Sequence, residues 1–224
     1  MTVLILPESL PIEKRAKGVK LDISSRYAGM WQGLKGPMGM FFLLSFLVSF
    51  GLSNMEGILG LFALERFGFG PKEVGSVMVV VGTMVAGVQM VLTGPATKRF
   101  GEQAVIKASL LGLTVTFLLI LTAYDFTTLL IIIGLFAFTN AMLRPSISSL
   151  VSKETEIDQG LALGLNNSFM SLGRFTGPLL ARFLFDIRIT LPYLIGSLIM
   201  FLGFLFVQIK LKEPFEKQVI AQEV

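Results

Sequence analysis

Residues 127–151 read TTLLIIIGLFAFTNAMLRPSISSLV, a stretch of 25 residues with a single charge, Arg144. A helix of this length crosses the hydrocarbon core of a bilayer, because about 20 mostly apolar residues suffice for roughly 30 Å. Five further stretches have a similar length and character, at 38–64, 74–93, 104–124, 160–185 and 191–209. The alternating pattern of β-barrel strands is absent. The sequence therefore predicts an all-α membrane protein with six transmembrane helices.

The composition excludes several other classes of protein. Hydrophobic residues make up 53% of the 224 residues and charged residues only 15%, whereas soluble domains carry about 25% charged residues. Cysteine and histidine are both absent from the sequence, which excludes disulfides and thiol nucleophiles and removes the commonest general base and metal ligand. The predicted spans hold no close pair of carboxylates for acid–base or metal chemistry. We therefore expect no enzymatic activity, no cofactor and no metal site.

The placement of Lys and Arg predicts the orientation and the domain organisation. Thirteen of these residues fall in loops and termini on one side of the predicted spans and three on the other. Because Lys and Arg concentrate on the cytoplasmic side, both termini are predicted to be cytoplasmic. The chain then divides into a cytoplasmic segment at 1–37, a transmembrane domain at 38–209 and a cytoplasmic tail at 210–224.

Part of the N-terminal segment has helical periodicity. Ile23, Tyr27, Met30 and Trp31 share one face of a helix that would run over 22–35. An apolar face that carries Tyr and Trp favours a helix lying on the cytoplasmic membrane surface. An irregular linker is the alternative.

Polar residues inside the predicted spans are the candidate functional residues, because they are costly at membrane depth. Glu56 in the first span must face a cavity, pair with a cation or be protonated; it either carries protons or substrate, or holds helices together as an ion pair. Arg174 in the fifth span pairs with Glu56, lines a polar path or contacts a partner. Arg144 reaches the cytoplasmic surface by snorkelling. The neutral candidates, which bind substrate or bridge helices, are Asn54, Gln89 and Asn140.

Small residues at every fourth position predict close contacts between helices. Three such series occur: Gly160, Gly164 and Ser168; Gly173, Gly177 and Ala181; Ala108, Gly112 and Thr116. Pro178 should bend the fifth span, because proline removes a backbone donor. Such a helix suits either a gating element or ordinary tight packing. Phe41, Phe42, Phe46 and Phe50 are spaced for contact with lipid.

Four short motifs resemble the C-terminal half of a transporter of the major facilitator superfamily, in the drug–proton antiporter branch that includes tetracycline and multidrug exporters. LPESLP at 6–11 resembles the end of that family's sixth helix. GPATKRFG at 94–101 is similar to its cytoplasmic loop motif, Gly-x-x-x-Asp-Arg-x-Gly-Arg-Arg, with matches at Gly94, Arg99 and Gly101 and Lys98 at the Asp position. GRFTGP at 173–178 is similar to the antiporter motif Gly-x-x-x-Gly-Pro, and NAMLRPS at 140–146 to the tenth helix.

The resemblance implies proton-coupled efflux of small amphipathic compounds through a cell-membrane protein. The six spans would be helices seven to twelve, and Gly94, Arg99, Gly101, Gly173, Gly177 and Pro178 would serve helix packing and gating. The expected partners are the bilayer, a small-molecule substrate, and a complementary N-terminal six-helix half or a second copy. No nucleic-acid partner is expected. The chain is then a half-transporter, a fragment or a product with a misassigned start; a membrane assembly subunit without transport is the alternative function.

Overall fold

A computed structural model describes residues 39–154 and 159–210, and within these ranges the chain is helical. The α-helices are α1 (Gly39–Phe67), α2 (Pro71–Val88), α3 (Gly94–Ile120), α4 (Phe126–Glu154), α5 (Gln159–Ile187) and α6 (Leu191–Lys210), with a π-helical turn at Gln89–Thr93 between α2 and α3. The predicted surface helix at 22–35 and the motif at 6–11 lie outside the described residues, as does most of the predicted tail.

Four helical stretches of the described residues are long and apolar enough to cross a membrane. They are Gly39–Phe67, Pro71–Ile120, Phe126–Lys153 and Leu191–Ile209. The second combines α2, the π-helical turn and α3, which join without a loop. The α5 helix is the less apolar fifth stretch of the sequence and is not among the four. The predicted all-helical membrane architecture is thus confirmed, and the number of crossings stays a prediction.

Turn chemistry explains where the helices begin and end. The α1 helix ends at a left-handed glycine, Gly68, with φ +70°, whose N–H donates to Leu64 O at 2.9 Å, a common helix termination. Pro71 then starts α2, where a missing N–H costs nothing. At the start of α4, Asp125 Oδ1 accepts a hydrogen bond of 2.8 Å from the Thr128 N–H. Hydrogen bonds from the Thr128 side chain and backbone lower the pKa of Asp125.

The α1 helix lies at the centre of the bundle. In its most apolar stretch 67% of the residues are buried, against 11% for the stretch that spans α2 and α3. It packs most extensively along α5 and also contacts α6 and α4. Aromatic rings tie these helices together, with Phe62 and Tyr193 at 4.6 Å between centroids. The prediction that Phe41 and Phe42 face lipid is wrong, because both are buried in this core.

The seam between α1 and α5 is a contact of backbone against backbone. A Cβ added at Gly173 would lie 2.6 Å from Phe46 O, and one at Gly177 would lie 2.6 Å from Phe50 O. Gly173 and Gly177 thus lie where the backbones of α1 and α5 approach most closely, and their role in gating stays a prediction. At Gly164, by contrast, no atom lies within 4 Å of an added Cβ, so this glycine makes no such contact among the described residues.

Candidate functional site

Three charged side chains lie near the midpoints of their helices. Glu56 is three residues from the midpoint of α1, Arg174 one residue from that of α5, and Arg144 four residues from that of α4. Arg144 is close enough to both Glu56 and Arg174 for their charges to act on it. No ion pair joins these three groups within 4 Å in the described part of the chain. The fold therefore brings one carboxylate and two guanidinium groups from three helices into one neighbourhood.

Two of the three charged groups are exposed, so the site is open on one side. Glu56 and Arg174 are exposed, whereas Arg144 is half-buried. Arg144 Nε is buried and has no hydrogen-bond partner in the described ranges. Snorkelling applies to an arginine whose guanidinium reaches water, and Arg144 is only partly exposed. The predicted snorkelling therefore does not account for the whole position of this side chain. It lies among the charges of the site, and sequence reasoning left it outside the candidate set.

Asn54 lies on the side of α1 that packs against α5. It is 0% exposed, and neither its Oδ1 nor its Nδ2 has a hydrogen-bond partner among the described residues. Its backbone N–H would lie 3.0 Å from a Cβ at Gly177, which places Asn54 at the glycine seam. A buried amide without partners is costly. Asn54 thus has unused hydrogen-bonding capacity at the seam between α1 and α5.

Gln89 contacts α4 beside Asn140, where the π-helical turn packs against that helix. Gln89 Nε2 donates a hydrogen bond of 3.1 Å to Ala141 O, the carbonyl next to Asn140. Asn140 Oδ1 is buried without a partner in the described ranges. Gln89 thus bridges two helices, which was one of its two predicted roles, and π-helical turns often occur at functional sites.

The motif at 94–101 is helical through Phe100 rather than a loop. Helical geometry is interrupted only at Gly101, with φ +77° and ψ +155°, values that essentially only glycine adopts. The Arg99 guanidinium lies 5.4 Å from the centroid of the Phe100 ring. One turn on, Glu102 forms an ion pair with Lys153 of α4 and accepts a hydrogen bond from Ser149. Sequence reasoning missed this pair, because 51 residues separate its members.

Pro178 lies against the residue that follows Glu56. A Cβ added at Gly57 would lie 3.0 Å from Pro178 Cβ, so α5 at this proline touches α1 beside the carboxylate. A second polar bridge joins the same two helices, where Ser45 Oγ donates to Asn166 Oδ1. Movement of α5 relative to α1 would therefore change the surroundings of Glu56 directly.

The model of the Major Facilitator Superfamily matches residues 41–223 of the sequence, a range that includes all three charged groups. The chain belongs to the Major Facilitator Superfamily. It is therefore an integral membrane protein of a transporter family. The predicted resemblance to this superfamily is confirmed.

Relatives within the superfamily include drug-resistance proteins. The chain is 28% identical over 206 residues to "Multidrug resistance protein 2" of Bacillus subtilis (strain 168), covering 90% of this chain and 51% of that protein. It is 33% identical over 150 residues to "Quinolone resistance protein NorA" of Staphylococcus aureus (strain COL), covering 67% of this chain and 39% of that protein.

A solved structure has the same fold. The human organic anion transporter MFSD10 (TETRAN) superposes with a TM-score of 0.76 at 26% identity, over 91% of this chain and 52% of that one. The chain thus spans about half the length of the curated relatives and of the solved transporter it matches. Since transporters of this superfamily consist of two related six-helix halves, the match covers about one half of the architecture.

Proposed function

We propose that the chain acts as the C-terminal half of a proton-coupled exporter of small amphipathic compounds. The observation that carries the proposal is the group of Glu56, Arg174 and Arg144 near the middle of three helices, open on one side. Ionisable residues at membrane depth commonly mark proton or substrate paths. The drug-resistance relatives support efflux as the direction and amphipathic compounds as the substrate class.

Six membrane crossings fit the lengths of the helices. Pro71–Ile120 contains 50 residues and would be about 75 Å long at 1.5 Å per residue, far more than the roughly 30 Å of hydrocarbon. The break at Gly101 divides it at a place where Lys98 and Arg99 are exposed. Two membrane crossings connected near Gly101 account for the length of this stretch. They also place the charges of Lys98 and Arg99 in the connection between the crossings. Positive residues then lie on the side that we assign to the cytoplasm, together with both termini.

Glu56 is the proposed proton carrier. A cationic substrate that binds beside Glu56 competes with a proton for the same carboxylate. When α5 shifts against α1 at the contact between Gly57 and Pro178, the distance from Glu56 to Arg174 changes. Proton uptake and substrate release can then alternate on one group. Asn54, Gln89 and Asn140 supply neutral hydrogen-bonding groups nearby.

The open side calls for a second six-helix unit as a partner. The α2 helix exposes glycines at which an added Cβ would have no atom within 4 Å, namely Gly75, Gly82 and Gly87. Glycines on a membrane helix allow a neighbouring helix to approach closely, and no atom of the described residues fills the space beside these three. A complementary N-terminal half, or a second copy, would cover both these glycines and the charged groups.

The test is transport by the assembled protein. The chain is expressed alone and together with the N-terminal half of Multidrug resistance protein 2, and efflux of a fluorescent amphipathic cation is followed while the proton gradient is imposed and collapsed. We expect gradient-dependent efflux only in the assembled protein. Glu56→Gln should reduce it at least tenfold, while Glu65→Gln, an exposed carboxylate of the same helix, should leave it unchanged.

Two results would contradict the proposal. Efflux by Glu56→Gln at the rate of the unsubstituted protein would remove Glu56 from proton coupling. A folded chain that pairs with the other half but shows no efflux in any combination would instead support the assembly-subunit function. In that case Gly82→Leu, on the exposed surface of α2, should abolish pairing, while Glu56→Gln should leave it intact.

A further inference from the structure

The face of the bundle between α3 and α4 contains a cavity of about 430 Å³. Its lining is almost wholly apolar and comes from two helices: Phe100, Ala104, Ala108, Ser109, Phe138 and Met142 are among the residues. The volume lies within the range of roughly 300–1,000 Å³ that small-molecule sites occupy. The hydroxyl of Thr139, which also lines the cavity, is bonded to Phe136 O of its own helix at 2.9 Å. The lining therefore suits a hydrocarbon chain.

The cavity is separate from the charged groups of the proposed transport site. At 3.6 residues per turn, Phe138 and Met142 share the face of α4 that also carries Leu135, which is exposed. Asn140 and Arg144 fall on the opposite face. On α3, Ala104 and Ala108 continue into the exposed residue Leu111. The cavity thus interrupts the outward-facing apolar surface of the bundle.

The two ends of the cavity differ in packing and charge. Toward the middle of the bundle α3 and α4 touch, since a Cβ added at Gly112 would lie 2.6 Å from Thr139 Cγ2. The other end is lined by Ala96 and Phe100, and the same turn of α3 carries two exposed cations, Lys98 and Arg99. No carboxylate of the described ranges lies within ion-pair distance of either cation. Arg99 lies over the ring of Phe100 at 5.4 Å, beside the cavity itself.

We propose that this cavity binds one acyl chain of an anionic phospholipid, whose phosphate pairs with Arg99. Charge complementarity selects the occupant, because basic pockets between membrane helices attract anionic headgroups. An apolar slot between two helices accepts the chain, and Arg99, which lies over the ring of Phe100, accepts the headgroup. The inference does not depend on the proposed transport activity.

The headgroup half of the proposal is tested by binding to the purified chain in detergent. Native mass spectrometry compares phosphatidylglycerol with phosphatidylcholine of identical acyl chains. We expect Arg99→Gln to weaken phosphatidylglycerol binding about fivefold, the change expected for one basic residue near a charged lipid surface, and to leave phosphatidylcholine unchanged. Lys72→Gln removes an exposed positive charge at the start of α2 and should have no effect. Equal binding of both lipids, or no loss in Arg99→Gln, would overturn the headgroup assignment.

The acyl-chain half is tested by filling the cavity. Ala108→Phe should remove the retained lipid, whereas Leu111→Phe, which adds bulk on the same exposed face outside the lining, should not. Unchanged lipid occupancy in a folded Ala108→Phe protein would overturn the site. Binding of tetraphenylphosphonium, an amphipathic cation, is measured in the same variant. If Ala108→Phe loses tetraphenylphosphonium binding but retains the lipid, the cavity binds an amphipathic cation and the lipid site is overturned.

A measurement on the unsubstituted chain covers the case in which Ala108→Phe fails to fold. Phosphatidylglycerol with a photoreactive group near the end of one acyl chain is crosslinked in micelles, and the labelled peptides are mapped. Labels should concentrate in residues 104–109 and 138–142. An even distribution over the exposed faces of α3, α4 and α6 would refute a specific site.

Discussion

Gly177→Ala should destabilise the bundle, although alanine is the better helix former. The added Cβ would lie 2.6 Å from Phe50 O, whereas ordinary contacts begin at 3.4 Å. The α1 and α5 helices must therefore separate by about 0.8 Å at this point, and the obstructing atom is backbone, which cannot rotate away. Overpacking of this kind costs about 1–3 kcal/mol, while the substitution gains at most about 1 kcal/mol in helix propensity.

The matched control is Gly164→Ala in the same helix. No atom lies within 4 Å of the added Cβ there, so only the gain in helix propensity remains. Thermal unfolding in detergent, followed by circular dichroism, should show a lower midpoint for Gly177→Ala by a few degrees, since about 1 kcal/mol corresponds to roughly 2–4 °C at this size. Gly164→Ala should be unchanged or slightly higher. A midpoint for Gly177→Ala equal to or above that of Gly164→Ala would refute the backbone seam.

Two further substitutions test local features of the fold. Gly101→Ala places a Cβ in a backbone region that glycine alone adopts and should cost about 1–3 kcal/mol, while Gly94→Ala, at a helical φ of −62°, should leave the thermal midpoint unchanged. The pKa of Asp125 is lowered from its ordinary value of 3.8, so its stabilising effect is complete above that value and is lost as the pH falls through the lower pKa of the folded state. Asp125→Asn keeps the cap but has no group that titrates. Its thermal unfolding midpoint should therefore rise relative to that of the unsubstituted protein below about pH 4. A difference between the two midpoints that does not depend on pH would contradict the cap.

The positions of the helices could be predicted because apolar runs and breakers coincide. The α1 helix ends at Phe67 and α2 begins at Pro71, on either side of the Gly-Phe-Gly turn that the sequence marks. The motif at 94–101 was predicted as a loop and is helical through Phe100. Proline is tolerated in the first turn of a helix, so Gly94 and Pro95 can start a helix as readily as they end one.

Which face of a helix is buried could not be predicted for α1. The helix is apolar on every side, and such a pattern identifies a buried or membrane helix without fixing its rotation. The lipid-facing prediction for Phe41 and Phe42 failed for this reason. The same limit explains why two glycine series in α5 looked alike although Gly173 and Gly177 alone meet the backbone of α1.

The charged groups could be recognised singly, since a charge in an apolar run stands out. Their convergence could not be predicted, because Glu56, Arg144 and Arg174 come from three helices and their approach depends on the fold.

The free energy of burying a charge argues for the partner that we propose. On insertion scales a charge at the bilayer centre costs about 2.5–3.5 kcal/mol, and the exposed Glu56 and Arg174 would each bear that cost if lipid covered the open side. Protein or water held by a second half removes it, while the glycines of α2 let that half approach closely. The proposed second half would therefore serve both the polar groups and the unfilled glycines.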